Sequence, residues 1–304
     1  MRTRQHGVAI VLAMSVVALA ALAATAMMVS QSTWARLTEL NAGHAQAQLV
    51  IQAGLDWARA VLSDDQHAGN VDHPGEPWAL RLPTIPVENG NLAGRIEDQQ
   101  GKFNLNNLSN KGRVDPAQLG HLRRLLSMLA LPPALADALA DWIDTDSELQ
   151  PQGGAEDETY LSMQPPALAA NRPLIDVAEL ALVRGYDRSV RERLRPFVSA
   201  LPRFTAVNVN TAPAEVLCAV VQHLQIDDAR AIVAQREKTH FRNVQEFTAA
   251  LPRGLTAATT DVTVGSDYFV ASMRASIGGA QAFGSALLAR QKSGWPAIVW
   301  RKTP

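Results

Sequence analysis

The sequence of 304 residues predicts an α+β fold, in which a long N-terminal helix packs on an antiparallel sheet and a large helical region interrupts that sheet. Three features predict this arrangement. No proline occurs between Gln31 and Leu62, so a helix that begins earlier can continue through this stretch. Residues 107–253 have mainly helical periodicity, and strand-like segments occur on both sides of them.

The N-terminal helix begins with a segment that is apolar enough to cross a membrane. From Val8 to Val29 the only polar residues are Ser15 and Thr25, and 22 residues at about 1.5 Å each span a hydrocarbon layer of roughly 30 Å. Arg2 and Arg4 precede this segment, and the positive-inside tendency places them in the cytoplasm. The bulk of the chain is therefore expected on the other, extracytoplasmic side of the membrane.

An ordinary secretory signal is the alternative for this segment, because the alanine-rich stretch from Leu19 to Ala26 offers a cleavage site. The residues that follow favour a retained helix. No turn-forming cluster separates them from the apolar segment, and apolar residues recur at mixed spacings of three and four: Trp34, Leu37, Leu40, Leu49, Ile51, Leu55, Ala58 and Val61. One helix from Val8 to Leu62 would be about 80 Å long.

The basic leader that ends at Gly7, followed by an uncharged apolar helix, resembles the class III signal of type IV pilins and pseudopilins. The resemblance implies cleavage by a prepilin peptidase after Gly7, with Val8 as the new, methylated N-terminus. Most members have Glu at the fifth mature position, where it is thought to neutralise the N-terminal ammonium of a neighbouring subunit in the membrane. Here that position is Leu12. The K-type pseudopilin of type II secretion systems, at the filament tip, is the type known to lack this glutamate.

The residues after the long helix divide into a linker, a strand and paired helices. Ser63 to Glu88 is rich in proline and glycine and is expected to be a linker. Leu92 to Asp98 alternates weakly between polar and apolar residues, as a strand does. Helix pairs are expected at Pro116–Ile143, Val177–Phe197 and Pro213–Leu251, the last with two or three helices. Their similarity indicates an internal repeat of the helix-hairpin-helix or SAM-like kind.

The C-terminal region is expected to complete the sheet. Strands are predicted at Tyr268–Ile277, Ala282–Arg290 and Trp295–Arg301, with glycine-containing turns between them. Together with Leu92–Asp98 they would form the antiparallel sheet on which the long helix packs. Before them, Asn208 to Thr211 is expected to end a strand, with Thr211 as the N-cap of the next helix and Pro213 near its first turn.

Composition and motifs disfavour several functional classes. The formal net charge is −1, or −3 once Arg2 and Arg4 leave with the leader, so no basic surface for nucleic acid is implied. A membrane-anchored helix-hairpin-helix protein that binds DNA is the weaker alternative, because Asp187, Asp227 and Asp228 at the hairpins would repel phosphate. No hydrolase elbow, P-loop, dinucleotide fingerprint or zinc-protease motif occurs, so an enzyme is not expected.

An acidic loop is the clearest chemical feature of the sequence. Seven carboxylates occur within the eighteen positions from Asp141 to Glu158, interrupted by Gly153 and Gly154. Oxygen ligands in an irregular loop suit calcium, whereas thiolates and imidazoles are absent from this segment. The spacing is not that of an EF-hand. A solvated acidic loop at the end of a helix is the other interpretation of the same residues.

Several segments around this loop resemble the K-type minor pseudopilin, also called general secretion pathway protein K. They occur in the order that the family shows and cover most of residues 94–217: Leu139–Asp144, Gly154–Asp157, Ala170–Leu174, Val177–Leu180, Val183–Gly185 and Val207–Ala212. The resemblance implies a pilin-like α+β body with a large helical insert that holds structural calcium. The ligands it implies are Asp144, Asp146, Glu148, Glu156 and Asp157; which of them bind and which only flank the ion stays open.

The same resemblance implies a division of the chain and a set of partners. The division is a leader (1–7), an N-terminal helix (8–62, transmembrane over 8–29), a first pilin-like part (63–106), the helical insert with the calcium loop (107–202), a second SAM-like helical segment (203–253) and a C-terminal sheet (254–304). The chain would span the inner membrane once and cap the tip of the secretion pseudopilus. Its partners would be the I and J minor pseudopilins, the H type through these, the inner-membrane secretion platform and, as a further contact, secreted substrates. A type IV pilus-like minor pilin is the alternative.

Cleavage of the leader gives the first prediction. N-terminal sequencing of the protein extracted from membranes should begin at Val8, because the prepilin peptidase cuts before the apolar segment and leaves it attached. A protein that begins beyond Ala26 would contradict this, and would indicate an ordinary signal peptide and a soluble periplasmic protein.

Overall fold

The structure is a computed structural model that describes residues 6–303, so the leader arginines Arg2 and Arg4 lie outside the described residues. Its helices are α1 His6–Ala68, α2 Pro116–Met128, α3 Leu135–Ile143, α4 Asp157–Leu161, α5 Arg188–Leu194, α6 Ala214–Val220, α7 Ile226–Lys238 and α8 Val244–Ala250. Short 3-10 helices occur at Pro77–Ala79, Leu105–Leu108 and Val177–Leu182. The fold is the predicted α+β combination of a long apolar helix and an antiparallel sheet.

Five long strands form the main sheet, and six two-residue strands pair within the helical region. The strands are β1 Leu82–Val87, β2 Gly90–Asp98, β3 Phe103–Asn104, β4 Ser109–Asn110, β5 Arg113–Val114, β6 Val198–Ser199, β7 Val207–Asn208, β8 Val262–Thr263, β9 Tyr268–Ile277, β10 Ala280–Ala289 and β11 Ala297–Lys302. The main sheet has the order β1-β2-β9-β10-β11, and all its neighbours are antiparallel. Since β2 pairs directly with β9, residues 99–267 are inserted between two adjacent strands. This insertion is longer than the expected insert of 107–202, and the whole of it is called the insert below.

Helix α1 has an exposed first half and a second half that packs on the sheet. It is the one helix of the described residues that is long and apolar enough to cross a membrane, and its most apolar window is not buried by the fold. Its buried residues recur every three or four positions and contact β9 and β10: Ala47, Ile51, Leu55, Ala58 and Leu62. The approach is close, because a Cβ added at Gly284 would lie 2.3 Å from Cγ2 of Ile51.

The predicted linker from Ser63 to Glu88 is wrong at both of its ends. Helix α1 continues to Ala68, and Leu82–Val87 forms the edge strand β1, although it contains Pro83 and Pro86. Proline removes a backbone donor, and an edge strand tolerates that loss because one of its sides has no partner strand.

Two smaller expectations also change. Val177–Leu182 is a 3-10 helix and not an α-helix; Asp176 and Glu179 form a capping box at its start. Thr211 does not cap α6, whose N-cap position is Pro213; its hydroxyl donates instead to Oδ2 of Asp98 at 2.5 Å.

A buried ion network joins α1, the sheet and the helical insert. Arg290, which follows β10, donates from Nη1 to both carboxylate oxygens of Asp72 at 2.8 Å and from Nη2 to Asp65 in α1. The insert contributes the backbone N–H of Ser266, which donates to Asp72 at 2.7 Å, and the amide of Asn208, which donates to the carbonyl oxygen of Asp72 at 3.1 Å. The network therefore fixes the insert at the end of α1 that is farthest from the membrane segment.

The Arg290→Met variant should be less stable by roughly 3–5 kcal/mol, because it leaves buried carboxylates without their cation. Burial already raises the pKa of Asp72 to about 7, although Arg290 acts in the opposite direction. A carboxyl with a raised pKa in the folded state stabilises most at low pH, and this contribution is lost as the pH rises through 7. Denaturant unfolding should therefore show a larger loss at pH 8 than at pH 5.

The matched control is Arg301→Met, since Arg301 is exposed on β11. It should change the unfolding free energy by less than about 0.5 kcal/mol. Equal losses for the two variants, or a loss for Arg290→Met that does not vary with pH, would contradict the assigned charge pairing.

Candidate metal-binding loop and exposed helix

The acidic loop connects the end of one helix to the start of another. Asp144 is the residue directly after α3, and Glu156 directly precedes α4. The two ends are held together by Trp142 and Tyr160, whose rings meet edge to face with centroids 4.8 Å apart. A carboxylate at the C-terminal end of a helix faces the negative end of the helix dipole, and such a position favours a cation nearby.

Two carboxylates of this loop are buried without hydrogen-bond partners. Asp144 is fully buried, and within the described residues neither of its carboxylate oxygens has a partner. Oε1 of Glu156, in a residue that is 7% exposed, is unpartnered as well. Buried carboxylates normally have a hydrogen bond or a counter-ion, because an unpaired charge in a low-dielectric site is costly.

The carboxylates of the loop raise one another's pKa. Burial raises the pKa of Asp144 to about 7, with further contributions from the charges of Asp146, Asp141 and Glu156. Burial also raises the pKa of Glu156 to about 7, and the charges of Asp141, Asp157 and Asp146 add to it. At neutral pH the loop thus needs either protons or a cation.

Asp141, which the sequence analysis did not include among the ligands, organises the loop. Its Oδ2 accepts a hydrogen bond from the backbone of Ala155 at 2.9 Å, and its carboxylate accepts another from the backbone of Gln150. Gly154 is required beside it, because an added Cβ would lie 2.2 Å from Oδ2 of Asp141. The sequence signal for this role was its place in the last turn of α3, from which its side chain reaches the returning loop.

The remaining predicted ligands differ in position. Asp157 accepts from the backbone of Ala169 at 2.9 Å, so one of its oxygens is already used. Asp146 is exposed and accepts from the backbone of Glu148 at 2.9 Å. Glu148 is exposed too, and its charge is not among those that raise the pKa of Asp144. Asp146 and Glu148 thus both lie at the surface, but only Asp146, with Glu156 and Asp141, is near enough for its charge to raise the pKa of Asp144.

Another acidic group in the described part of the chain has the tightest arrangement of possible ligand atoms. In Asp65, Asp72 and Glu76 these atoms all lie within 4.8 Å of one another. Arg290 already supplies the positive charge there. Within the described residues, no three carboxylates of the acidic loop meet this distance criterion. Their charges act on one another, but three of their oxygen atoms do not converge on one point.

Beyond its membrane segment, α1 carries large apolar residues that the rest of the chain leaves uncovered. Trp34 and Leu49 are each 69% exposed, and Leu37, Leu40 and Trp57 are exposed as well. These residues lie on the same helix as the buried row that contacts the sheet. With 3.6 residues per turn, Leu37 and Leu40 lie on the side of the buried row, whereas Trp34, Leu49 and Trp57 are spread over the other sides of α1. Exposed large apolar residues outside the sheet contact are typical of an interaction surface.

The helix ends at the predicted hairpins hold carboxylates. Asp187 caps α5, with its Oδ1 accepting from the backbone of Val190 at 2.8 Å. Asp227 and Asp228 lie in the first turn of α7. Negative side chains occupy the positions where the DNA-binding alternative needs free N–H groups for phosphate.

The helical insert matches a known protein family. Residues 101–203 and residues 207–265 both match the family described as type II secretion system (T2SS), protein K. The first of these segments includes the acidic loop.

Relatives resemble the chain over almost its whole length. The type II secretion system protein K of Pseudomonas aeruginosa (strain PAO1) is 36% identical, with 99% of this chain and 93% of the relative covered. The protein of the same name from Klebsiella pneumoniae is 33% identical, with 96% and 94% covered.

A solved structure has a similar fold. A chain in the crystal structure of the GspK-GspI-GspJ complex from the enterotoxigenic Escherichia coli type 2 secretion system has a TM-score of 0.77 and 28% sequence identity. The similarity covers 88% of this chain and 99% of that chain.

Proposed function

Since this chain belongs to the type II secretion system protein K family and is thus a minor pseudopilin, we propose that it caps the tip of the pseudopilus and helps to start its assembly. The observation that carries the proposal is the place of the insert. Residues 99–267 stand at the end of α1 farthest from the membrane segment, where the ion network of Asp65, Asp72 and Arg290 holds them. In a filament built from parallel helices, this bulk would occupy the space of the next subunit.

The membrane-spanning half of α1 also supports a position at the tip of the pseudopilus. Leu12 stands where most pilins have a glutamate, and α1 has no charged residue between Val8 and Met28. A subunit without this carboxylate does not neutralise the N-terminal ammonium of a neighbour, which is costly to bury unpaired in the membrane. We infer that the chain joins the filament at a place where no such pairing is needed.

Its partners are proposed to be the I and J minor pseudopilins, with the H type bound through these. The exposed apolar residues of α1 that lie off its sheet-facing side, Trp34, Leu49 and Trp57, would provide the lateral contact area. The similar chain comes from a structure whose name includes GspI and GspJ, which supports this choice. The chain would span the inner membrane once, be cut by the prepilin peptidase between Gly7 and Val8, and keep its bulk in the periplasm beside the secretion platform. Its role is structural, without a catalytic step.

Calcium is proposed as a structural ion of the acidic loop. The residues fit a hard cation, since the donors are oxygens and the buried carboxylates of Asp144 and Glu156 are unpartnered in the described structure. Asp146 and Asp157 would hold the ion with them, and Asp141 would position the returning loop. Glu148 belongs to the predicted set but is better explained as a solvated neighbour. Bound calcium would supply the positive charge that these carboxylates need at neutral pH.

We expect the detergent-solubilised chain to form a stable 1:1:1 complex with the I and J minor pseudopilins on a sizing column. Deletion of the gene should leave folded exoproteins in the periplasm.

Leu12→Glu should be tolerated in a secretion assay, because capping depends mainly on the bulk of the insert. Homopolymers that contain this chain along their length, and not only at the tip, would contradict the proposed capping role.

Calcium should raise the melting temperature of the full chain in detergent, and chelator should reverse the effect, because a ligand that binds only the folded state stabilises by about 2.7 kcal/mol at 100 times Kd. Asp144→Asn together with Glu156→Gln should abolish the response, since these changes remove the two unpartnered carboxylates. Differential scanning calorimetry measures the shift.

Glu148→Gln is the matched control, because it removes one charge from the same loop at an exposed position. It should keep most of the calcium response. A wild-type melting temperature that ignores both calcium and chelator, or a full response in the double variant, would exclude these residues as the calcium site.

A further inference from the structure

A groove of about 650 Å³ lies between the sheet and the helical insert, on the face of the sheet opposite α1. The sheet provides an apolar floor with Val270, Leu287 and Trp300, and the insert provides a wall along α5. This groove is separate from the acidic loop and from the exposed apolar residues of α1.

The groove has more positive than negative side chains, and its negative ones are already paired. Six basic residues line it: Arg95, Lys102, Arg188, Arg191, Arg195 and Lys302. Its three carboxylates each have one of these as a partner: Arg95 with Glu97 at 3.1 Å, Arg188 with Glu192 at 2.7 Å and Lys302 with Asp176 at 2.5 Å. Within the described residues, the other three cations have no carboxylate within 4.0 Å.

These three unpaired cations come from two separate elements. Arg191 and Arg195 are four residues apart at the end of α5 and so lie on one side of it, where like charges repel. The dipole of α5 favours cations at this end of the helix. It does not account for Lys102, which belongs to the start of the insert and lines the same groove. Lys102 is partly buried and donates from Nζ to Oε1 of Gln99 at 3.2 Å. Burial lowers its pKa, although the more distant charges of Glu97 and Asp98 act in the opposite direction.

We propose that the groove binds an extended acidic segment of a partner protein. Successive same-side residues of an extended chain are roughly 6.7 Å apart, which is close to the rise of about 6 Å over four residues of a helix. Two glutamates or aspartates on one side of the segment can thus reach Arg191 and Arg195, with Lys102 available to a further carboxylate. Apolar side chains on its other side would contact Val270 and Trp300, which are partly exposed. A small inorganic anion would use the cations and leave this apolar floor uncovered.

The test uses the full chain in a non-ionic detergent and a ten-residue peptide that alternates glutamate and valine, labelled with tetramethylrhodamine. Fluorescence anisotropy should show saturable binding, and Arg191→Glu with Arg195→Glu should weaken it at least tenfold. The milder Arg191→Gln with Arg195→Gln should give an intermediate loss, which keeps the test valid if charge reversal disturbs folding. A peptide with glutamine in place of glutamate measures binding to micelles.

The matched control is Arg230→Glu with Arg253→Glu, which makes the same change of charge at exposed residues outside the groove. It should change the affinity by less than about twofold. Equal weakening in both pairs, or equal binding of the glutamine peptide, would overturn the proposal. So would displacement by inorganic phosphate beyond that caused by sodium chloride of the same ionic strength, since that result indicates a small-anion site. The groove can bind such a segment at any place in a filament, so failure here would leave the proposed capping role intact.

Discussion

The buried contact of Arg290 with Asp65 and Asp72 is the interaction on which the rest of the structure depends. A charge removed from water is costly unless it is paired, so the arrangement is stable only when α1, the end of β10 and the insert meet in one geometry. Phe269 lies under the guanidinium, with its ring centroid 4.7 Å from Cζ of Arg290. The insert thus has a defined orientation on the pilin-like body, as a cap requires.

The acidic loop has the opposite electrostatic character. At Asp72 the protein supplies its own cation, whereas Asp144 and Glu156 are buried with oxygens that the described structure leaves unpartnered. The loop lies within the insert, between α3 and α4, and the proposed calcium ion would balance its charge. Stability of the insert and availability of calcium would then be linked in the periplasm, where the proposed function places this part of the chain.

Much of the fold could be predicted from the sequence because its signals are local. Apolar periodicity predicted α1, and the turn residues around Leu131 and Gly185 separated the helices correctly. The edge strand β1 was missed because Pro83 and Pro86 argue against a strand unless its edge position is known. The pairing of Arg290 with Asp72 was beyond sequence reasoning, since 218 positions separate them. In the acidic loop, alternation along the chain suggested Glu148 as a ligand, and the structure leaves it exposed. The role of Asp141 in holding the loop was missed because its hydrogen-bond partners are 9 and 14 positions away.

The most direct test of the capping account is the position of the protein on assembled pseudopili. A gold label attached to an exposed residue of the insert, such as Arg253, would be imaged by electron microscopy on filaments sheared from cells. The account predicts one label at a single end of each filament. Labels distributed along the filament length would contradict it. They would show that further subunits are added beyond this chain, although the insert at the end of α1 is proposed to block them.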